Sequence, residues 1–240
     1  MKADAPCGPR WVDVAPERVP KWLDNFGERN GRPVPLTPSA DGLRAIAANG
    51  TVADVFVPFA LDWVVPEGPE GPRRGPAGIA LVLAVRNHAL RDRRVGVLLM
   101  RLGGHAAGVF DGPGLVTSKV GSTYVQGRTA AGGRSQQRFA RRRANQADAA
   151  RDAAAEVAVR ILLPAAATLD ALVLGGERTG VEKVLADDRL AALREVPTEP
   201  RFLTVADPRQ AVLLSTPAMF RAVRVRVVDP GPDQVLASDS

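Results

Sequence analysis

Residues 136–163, QQRFARRRANQADAARDAAAEVAVRILL, contain neither glycine nor proline and are dominated by alanine and other strong helix formers. An uninterrupted run of that length, stopped only at Pro164, predicts one long helix. At ~1.5 Å per residue it would be longer than a small domain is wide. Asp148, Asp152 and Glu156 fall at i, i+4 on one face, and Arg160 follows Glu156 as a favourable pair. The rest of the chain has to be arranged around this element.

Ahead of it, GIALVLAV (78–85), VGVLLMRL (95–102), AAGVFDG (106–112) and LVTSKVGSTYV (115–125) read as apolar strands with charged or glycine-rich connections, a meander of three or four antiparallel strands. After it, ALVLGG (171–176) reads as a buried strand. TGVEKVLAD (179–187) reads as a short helix capped by Thr179, with Glu182 three residues on. DRLAALREV adds a helix before RFLTVA (201–206), and AVRVRVVD (222–229) alternates as a final strand. Antiparallel strands, a long helix and then alternating strand and helix argue for a mixed α/β fold, a mixed sheet with packed helices. Earlier still, Trp11–Phe26 has a helical pattern, DGLRAIAA after Thr37-Pro38-Ser39 reads as a capped short helix, and VADVFVPF (52–59) reads as a strand. The segment PEGPEGPRRGP (66–76) is a linker, because its prolines and glycines forbid regular structure. The expected organisation is an N-terminal extension (1–65), that linker (66–76), a main domain (77–229) and a disordered tail (230–240). At 240 residues with 45% apolar and 24% charged residues, one sizeable domain with an appendage is what such a chain can bury.

No stretch approaches the ~20 apolar residues of a membrane span. The start, MKADAPCGPRWVD, lacks the apolar run of a signal peptide. A single cysteine, Cys7, fits a reducing compartment, so a cytoplasmic protein is expected. With only His88 and His105 beside that cysteine, the common zinc sites are excluded and no metal or cofactor is implied.

Charge is more informative. Only four of the 32 basic residues are lysines. Seven arginines and one acid lie between Arg128 and Arg151, a local net charge of +6, whereas the remaining basic and acidic residues cancel. Focusing the whole net charge of the chain in one segment implies a polyanionic partner, most often nucleic acid. Self-contained catalytic motifs are missing: there is no GxSxG elbow, GxxxxGK[ST] loop or GxGxxG fingerprint. LVLGGERTG lacks the phosphate-loop lysine and reads as a strand-to-helix turn. His105 after Gly103-Gly104 could be a general base, but a lone histidine beside a strand reads first as a turn or core residue. Cys7 has no histidine neighbour, and Asp187-Asp188 reads as a solvated helix end.

What remains is QGRTAAGGRSQQRFARRRANQ (126–146). Its first part is small and polar, a mobile loop leaving the third strand of the meander. Its second part is the basic start of the long helix. Arginines at a helix N-terminus oppose the dipole, so an external anion is the natural compensation. With only Phe139 and Tyr124 nearby, stacking on an open single strand does not suit this segment; phosphate contacts to a folded RNA do. The plainer alternative is a solvated basic face.

VGVLLMRLGGHAAGVFDGPGLVTSKVGSTYV followed by GRTAAGGRSQQRFARRRANQA resembles the catalytic domain of eukaryotic and archaeal class I peptide chain release factors. It is most similar to the release-factor-like peptidyl-tRNA hydrolases of ribosome-associated quality control, in their actinobacterial branch. The GGHAAGVFDG hairpin, the glycine-plus-Ser-Gln loop and ALVLGGERTGVEKVL follow in the family order, and the likeness spans roughly residues 90–228. It implies a release-factor central-domain-like (ribonuclease H-like) mixed sheet and a cytoplasmic, ribosome-dependent hydrolase acting on peptidyl-tRNA at the large ribosomal subunit. In release factors a Gly-Gly-Gln loop carries the glutamine that coordinates the attacking water, and the quality-control relatives keep that glutamine after a serine. Here Gly132-Gly133 is followed by Arg134 and then Ser135-Gln136. The resemblance therefore assigns catalysis to Gln136, loop shaping to Gly132, Gly133 and Ser135, and contacts with rRNA and tRNA to Arg134, Arg138, Arg141, Arg142 and Arg143. The extra residue departs from Gly-Gly-Ser-Gln and keeps Gln137 as an alternative. The resemblance implies no cofactor, no metal and no membrane partner, and a monomer is expected.

The chemistry is consistent with the residue types. Glutamine is a poor acid or base, but its amide can orient a water, and a backbone N–H can stabilise an oxyanion in a site the ribosome supplies. Two rivals remain at this point: cleavage of the tRNA near its 3′ end by the same family of enzymes, and a non-catalytic rRNA- or tRNA-binding module.

Overall fold

The structure, a computed structural model, describes residues 8–101, 104–122 and 135–230, with side chains from residue 145 onward in the last range. The architecture is mixed α+β with two sheets, one of them mixed. The chain divides into two units, residues 1–91 with 221–240, and residues 92–220.

In the first unit the strands are β1 (Arg10–Val14), β2 (Leu36–Ser39), β3 (Gly42–Ile46), β4 (Val52–Phe56) and the last strand of the chain, β9 (Val223–Val228). They form an antiparallel sheet in the order β1-β9-β4-β3-β2. Two helices, α1 (Val19–Asn30) and α2 (Gly75–Leu90), cover one face of it. Leu23, Phe26, Leu81 and Val85 from the helices meet Leu43, Val55, Val223 and Val225 from the strands in one buried cluster.

Four expectations change here. Trp11–Phe26 is not one helix: β1 occupies its start and α1 begins only at Val19, after a short 3-10 turn at Pro16–Arg18. DGLRAIAA is not a helix but the return strand of a hairpin, because Leu43 and Ala45 bury on one side while Arg44 and Ile46 face out. GIALVLAV is not a strand but the middle of α2. Its buried positions, Gly78, Leu81, Val82, Val85 and Ala89, recur at helical spacing, and Pro76 fits the first turn where its missing N–H costs nothing. Finally, 66–74 is irregular as expected, but Gly75 and Pro76 already open α2, and the segment does not separate the units, whose boundary falls at residues 91 and 92. Buried Arg73 ties the segment down, donating from Nε to the Pro69 carbonyl (3.2 Å) and from Nη2 to the Pro66 carbonyl (2.9 Å). Its backbone also pairs with Leu36.

In the second unit β5 (Arg94–Arg101), β6 (Gly104–Asp111) and β7 (Gly114–Ser122) make the expected meander. β8 (Ala171–Gly176) adds parallel to β5, giving the order β7-β6-β5-β8. The crossover between β7 and β8 carries α3 (Ser135–Ile161). On the α3 face, Leu98, Met100, Ala107 and Val109 pack with Ala150, Ala154, Ala158 and Leu162, and with Val181 and Val184 of α4 (Arg178–Leu185). Small alanines at i, i+4 let the long helix lie close on the sheet. The short α5 (Ala191–Arg194) follows α4. On the other sheet face, α6 (Gln210–Phe220), a helix absent from the sequence reading, brings Phe220 edge-on to Phe110 at 6.2 Å between ring centroids.

Two corrections are local. Thr179 is not a cap: α4 starts at Arg178 and Glu177 holds the cap position, its N–H donating to the Met100 carbonyl at 2.6 Å. Glu156 pairs with Arg189 across the unit rather than with Arg160. The final strand, expected in the main domain, belongs to the first unit, where it is sandwiched between β1 and β4. The expected tail lies outside the described residues from 231 on.

Candidate nucleic-acid interface

The segment with focused charge falls between Ser122, the last residue of β7, and the first half of α3, which starts at Ser135. Gly132, Gly133 and Arg134 lie outside the described residues. Ser135, Gln136, Arg138, Arg141, Arg142 and Arg143 belong to the first turns of α3 by their backbone, their side chains being outside the described set. The helix predicted over 136–163 starts at Gln136, and the observed one starts one residue earlier. α3 already begins at Ser135, so the two glutamines are successive helical positions, about 100° apart around the axis.

Burial along α3 shows which part of the helix the fold uses. Asn145, Asp148 and Ala149 are exposed, and the first buried position among the described side chains is Ala150, followed by Ala154, Ala155, Ala158 and Ile161. Arg143 is about two turns, roughly 10 Å, ahead of Ala150. The C-terminal half of α3 is therefore a core element, whereas the arginine-rich half precedes every described buried position of the helix. No acidic residue stands in the first turn to balance the N–H groups there.

The alternatives raised from sequence fare differently. His105 is on β6, in register with Met100 and Gly121, on the face that α3 covers. It is 4% exposed, burial pushes its pKa down, and its Nδ1 has no partner among the described residues. Gly121 is required beside it, since a Cβ at that position would run into the imidazole. The ring is a neutral core residue, shut off from a polar substrate. The LVLGGERTG turn presents Glu177 at the start of α4, a negative charge where a phosphate loop needs N–H groups. Asp187, instead of standing free, accepts from the backbone and side chain of Arg189, which hold its pKa down at about 2. Among the described residues no three His, Cys, Asp or Glu side chains are grouped so as to hold a metal ion. No helix among them is long and apolar enough to cross a membrane. Cys7 lies outside the described residues.

A group that the sequence reading missed lies in the first unit: Asp54, buried in the middle of the sheet, receives Arg44 from β3 at 2.6 Å and Arg226 from β9 at 2.7 Å. Only the period-2 pattern of β9 hinted at it, by placing Arg224 and Arg226 together on one face.

Among solved structures, the chain is similar to an archaeal translation termination factor, aRF1, with 13% identity and a TM-score of 0.36 over 86% of this chain and 56% of that one. A second archaeal protein matches at 14% identity and a TM-score of 0.33 over 74% and 52%. The chain thus spans about half the length of these structures. No curated protein matches it. The family model of the Actinobacteria/chloroflexi VLRF1 release factors matches residues 93–226. That range takes in the second unit from its second residue, including the basic segment and all of α3, and ends in β9. Because the match covers more than half of the sequence, the chain belongs to the Actinobacteria/chloroflexi VLRF1 release-factor family.

Proposed function

We propose that the protein is a ribosome-dependent peptidyl-tRNA hydrolase that releases nascent chains from stalled large subunits. The observation that carries this reading is one of position. Within the part of the chain that matches release factors, a charge of +6, equal to the net charge of the entire chain, is focused between Arg128 and Arg151, in a segment that holds Ser135-Gln136 and the arginine-rich turns of α3. The buried half of the same helix anchors that segment to the sheet. Arg134, Arg138, Arg141, Arg142 and Arg143 hold rRNA and tRNA phosphates, and Gly132 and Gly133 let the backbone approach RNA closely. Ser135 precedes Gln136, whose amide orients the water that attacks the ester between peptide and tRNA. A positioned amide needs no shifted pKa, which suits a chain whose one buried histidine faces the core.

The test is to incubate the purified protein with large subunits carrying peptidyl-tRNA and to resolve both products on gels. Free peptide together with a tRNA that keeps its terminal nucleotides supports ester hydrolysis. A shortened tRNA makes the protein an endonuclease. Intact substrate with bound protein reduces it to an RNA-binding module.

A further inference from the structure

The sheet of the first unit has a second face, opposite α1 and α2. Cross-strand register fixes what stands on it, because residues directly paired in an antiparallel sheet share a face. One row across the strands reads Trp11, Arg226, Asp54 and Arg44. The next reads Asp13, Arg224, Phe56 and Gly42. Each of these β9 arginines thus stands between an aromatic residue on one neighbouring strand and an aspartate on the other. Arg224 lies over the Trp11 ring at 4.3 Å from its centroid, and the Trp11 and Phe56 rings are 5.7 Å apart. Trp11 is 48% exposed, and Ile46 and Val228 on the same face are exposed as well.

Asp54 organises this surface. Burial alone would raise its pKa, but hydrogen bonds from Arg44 and Arg226 outweigh that and hold it low. The carboxylate engages Nε of Arg44 and both Nε and Nη2 of Arg226, which leaves other guanidinium nitrogens on each side chain for a further acceptor. Beside them is a concavity of about 380 Å³, lined also by Thr37, Ser39 and Phe56. Three arginines, Arg44, Arg224 and Arg226, stand among three carboxylates, Asp13, Asp54 and, at the rim of the concavity, Asp41, and Asp54 holds two of the arginines in place before anything binds.

We propose that this sheet face, on which no helix packs among the described residues, binds single-stranded RNA, bases stacking on Trp11, Phe56 and the Arg224 guanidinium while Arg44 and Arg226 take phosphates. An exposed tryptophan and a half-buried phenylalanine on an open sheet, with arginines between them, are the chemistry that splayed bases and their backbone require. Four strands from β1 to β3 span about 14 Å, a platform for more than one base. Duplex RNA cannot offer its bases to such a surface. The proposal concerns a different unit from the Gln136 segment and stands without the hydrolase reading.

The experiment uses the full chain carrying Arg141→Gln, Arg142→Gln and Arg143→Gln, which weakens the competing basic segment. It is titrated with a labelled single-stranded RNA 10-mer and with a duplex of equal length at several salt concentrations. Trp11→Ala should weaken single-strand binding about tenfold, with little change in salt slope, since stacking releases no counterions. Trp11→Phe should retain most of the affinity. Arg44→Gln, at a side chain assigned to phosphate, should lower the slope by about 0.7. Circular dichroism verifies that each variant is folded, and the phenylalanine variant keeps the test valid if the alanine variant is not. Single-strand binding unchanged by Trp11→Ala overturns the proposal, as does a loss equal for duplex and single strand. Competition by an acidic peptide of equal charge as strong as that by RNA overturns the assignment to RNA. Peptide release by otherwise wild-type protein is a separate readout, so either reading can fail alone.

Discussion

Replacing Arg141, Arg142 and Arg143 together by glutamine separates the two halves of α3. The first buried position among the described side chains of the helix is Ala150, and the side chains that fix it to the sheet, Ala154, Ala158 and Leu162, lie further on. A substitution that ends about two turns before that anchor removes charge without opening the core, so stability should stay within about 0.5 kcal/mol of wild type. Binding is another matter. If each arginine neutralises one phosphate, the slope of log K against log salt should fall by about 2 to 2.7 for the three. Between 50 and 200 mM salt, wild type should therefore lose roughly 20- to 40-fold more affinity than the variant does. Co-sedimentation with large ribosomal subunits at a series of potassium chloride concentrations measures both quantities, with thermal unfolding run alongside. An unchanged salt slope would show the basic turns to be a solvated face. A large fall in Tm would show that the arginines are part of the fold, against the burial pattern.

Gln136→Ala should reduce peptide release by about 10²–10³ while leaving subunit binding nearly intact, since one neutral amide adds little to a phosphate-driven affinity. Gln137→Ala should lose far less, and a dead Gln137 variant with an active Gln136 variant would reverse the register assigned across Arg134. Asp54→Asn should cost about 1–2 kcal/mol at pH 7, a charged hydrogen-bond loss discounted because Arg44 and Arg226 are 53% and 39% exposed. Because the folded pKa of Asp54 is lowered, its contribution is complete above the unfolded value near 3.8 and fades as pH falls through the folded one. Wild type and variant should therefore converge in acid, and equal Tm values at pH 7 would refute the role given to the carboxylate. Gly176, the last residue of β8, sits at φ +99°, and a Cβ there would run into the Met100 carbonyl oxygen. Gly176→Ala should cost about 3 kcal/mol, visible as a Tm roughly 10 °C lower, and a neutral result would mean that the turn relaxes.

The elements legible in the sequence are those whose signal is local and periodic. α3 declares itself by 27 residues without a breaker, β5 to β7 by short apolar runs between turns, and β9 by strict alternation. The basic segment and its Ser-Gln are likewise visible as residues, since charge focus and a motif need no partner to be read. α2 was not legible, because an all-apolar run such as GIALVLAV carries no period; only packing showed Leu81 and Val85 facing in while Ile79 and Leu83 face out. The hairpin at Gly42 was hidden for a similar reason, its alternation being too short to compete with a run of helix formers. Tertiary structure alone decided what depends on distant pairing. It placed β9 between β1 and β4 in the first unit, joined Asp54 to an arginine 172 residues away, and turned 66–74 from a linker into a strapped loop around Arg73. Such pairings follow from which strands reach a shared sheet, and no window along the chain contains both partners. The sequence carried the charge and the glutamine; the packing of alanines along one half of α3 decided where on the fold they stand.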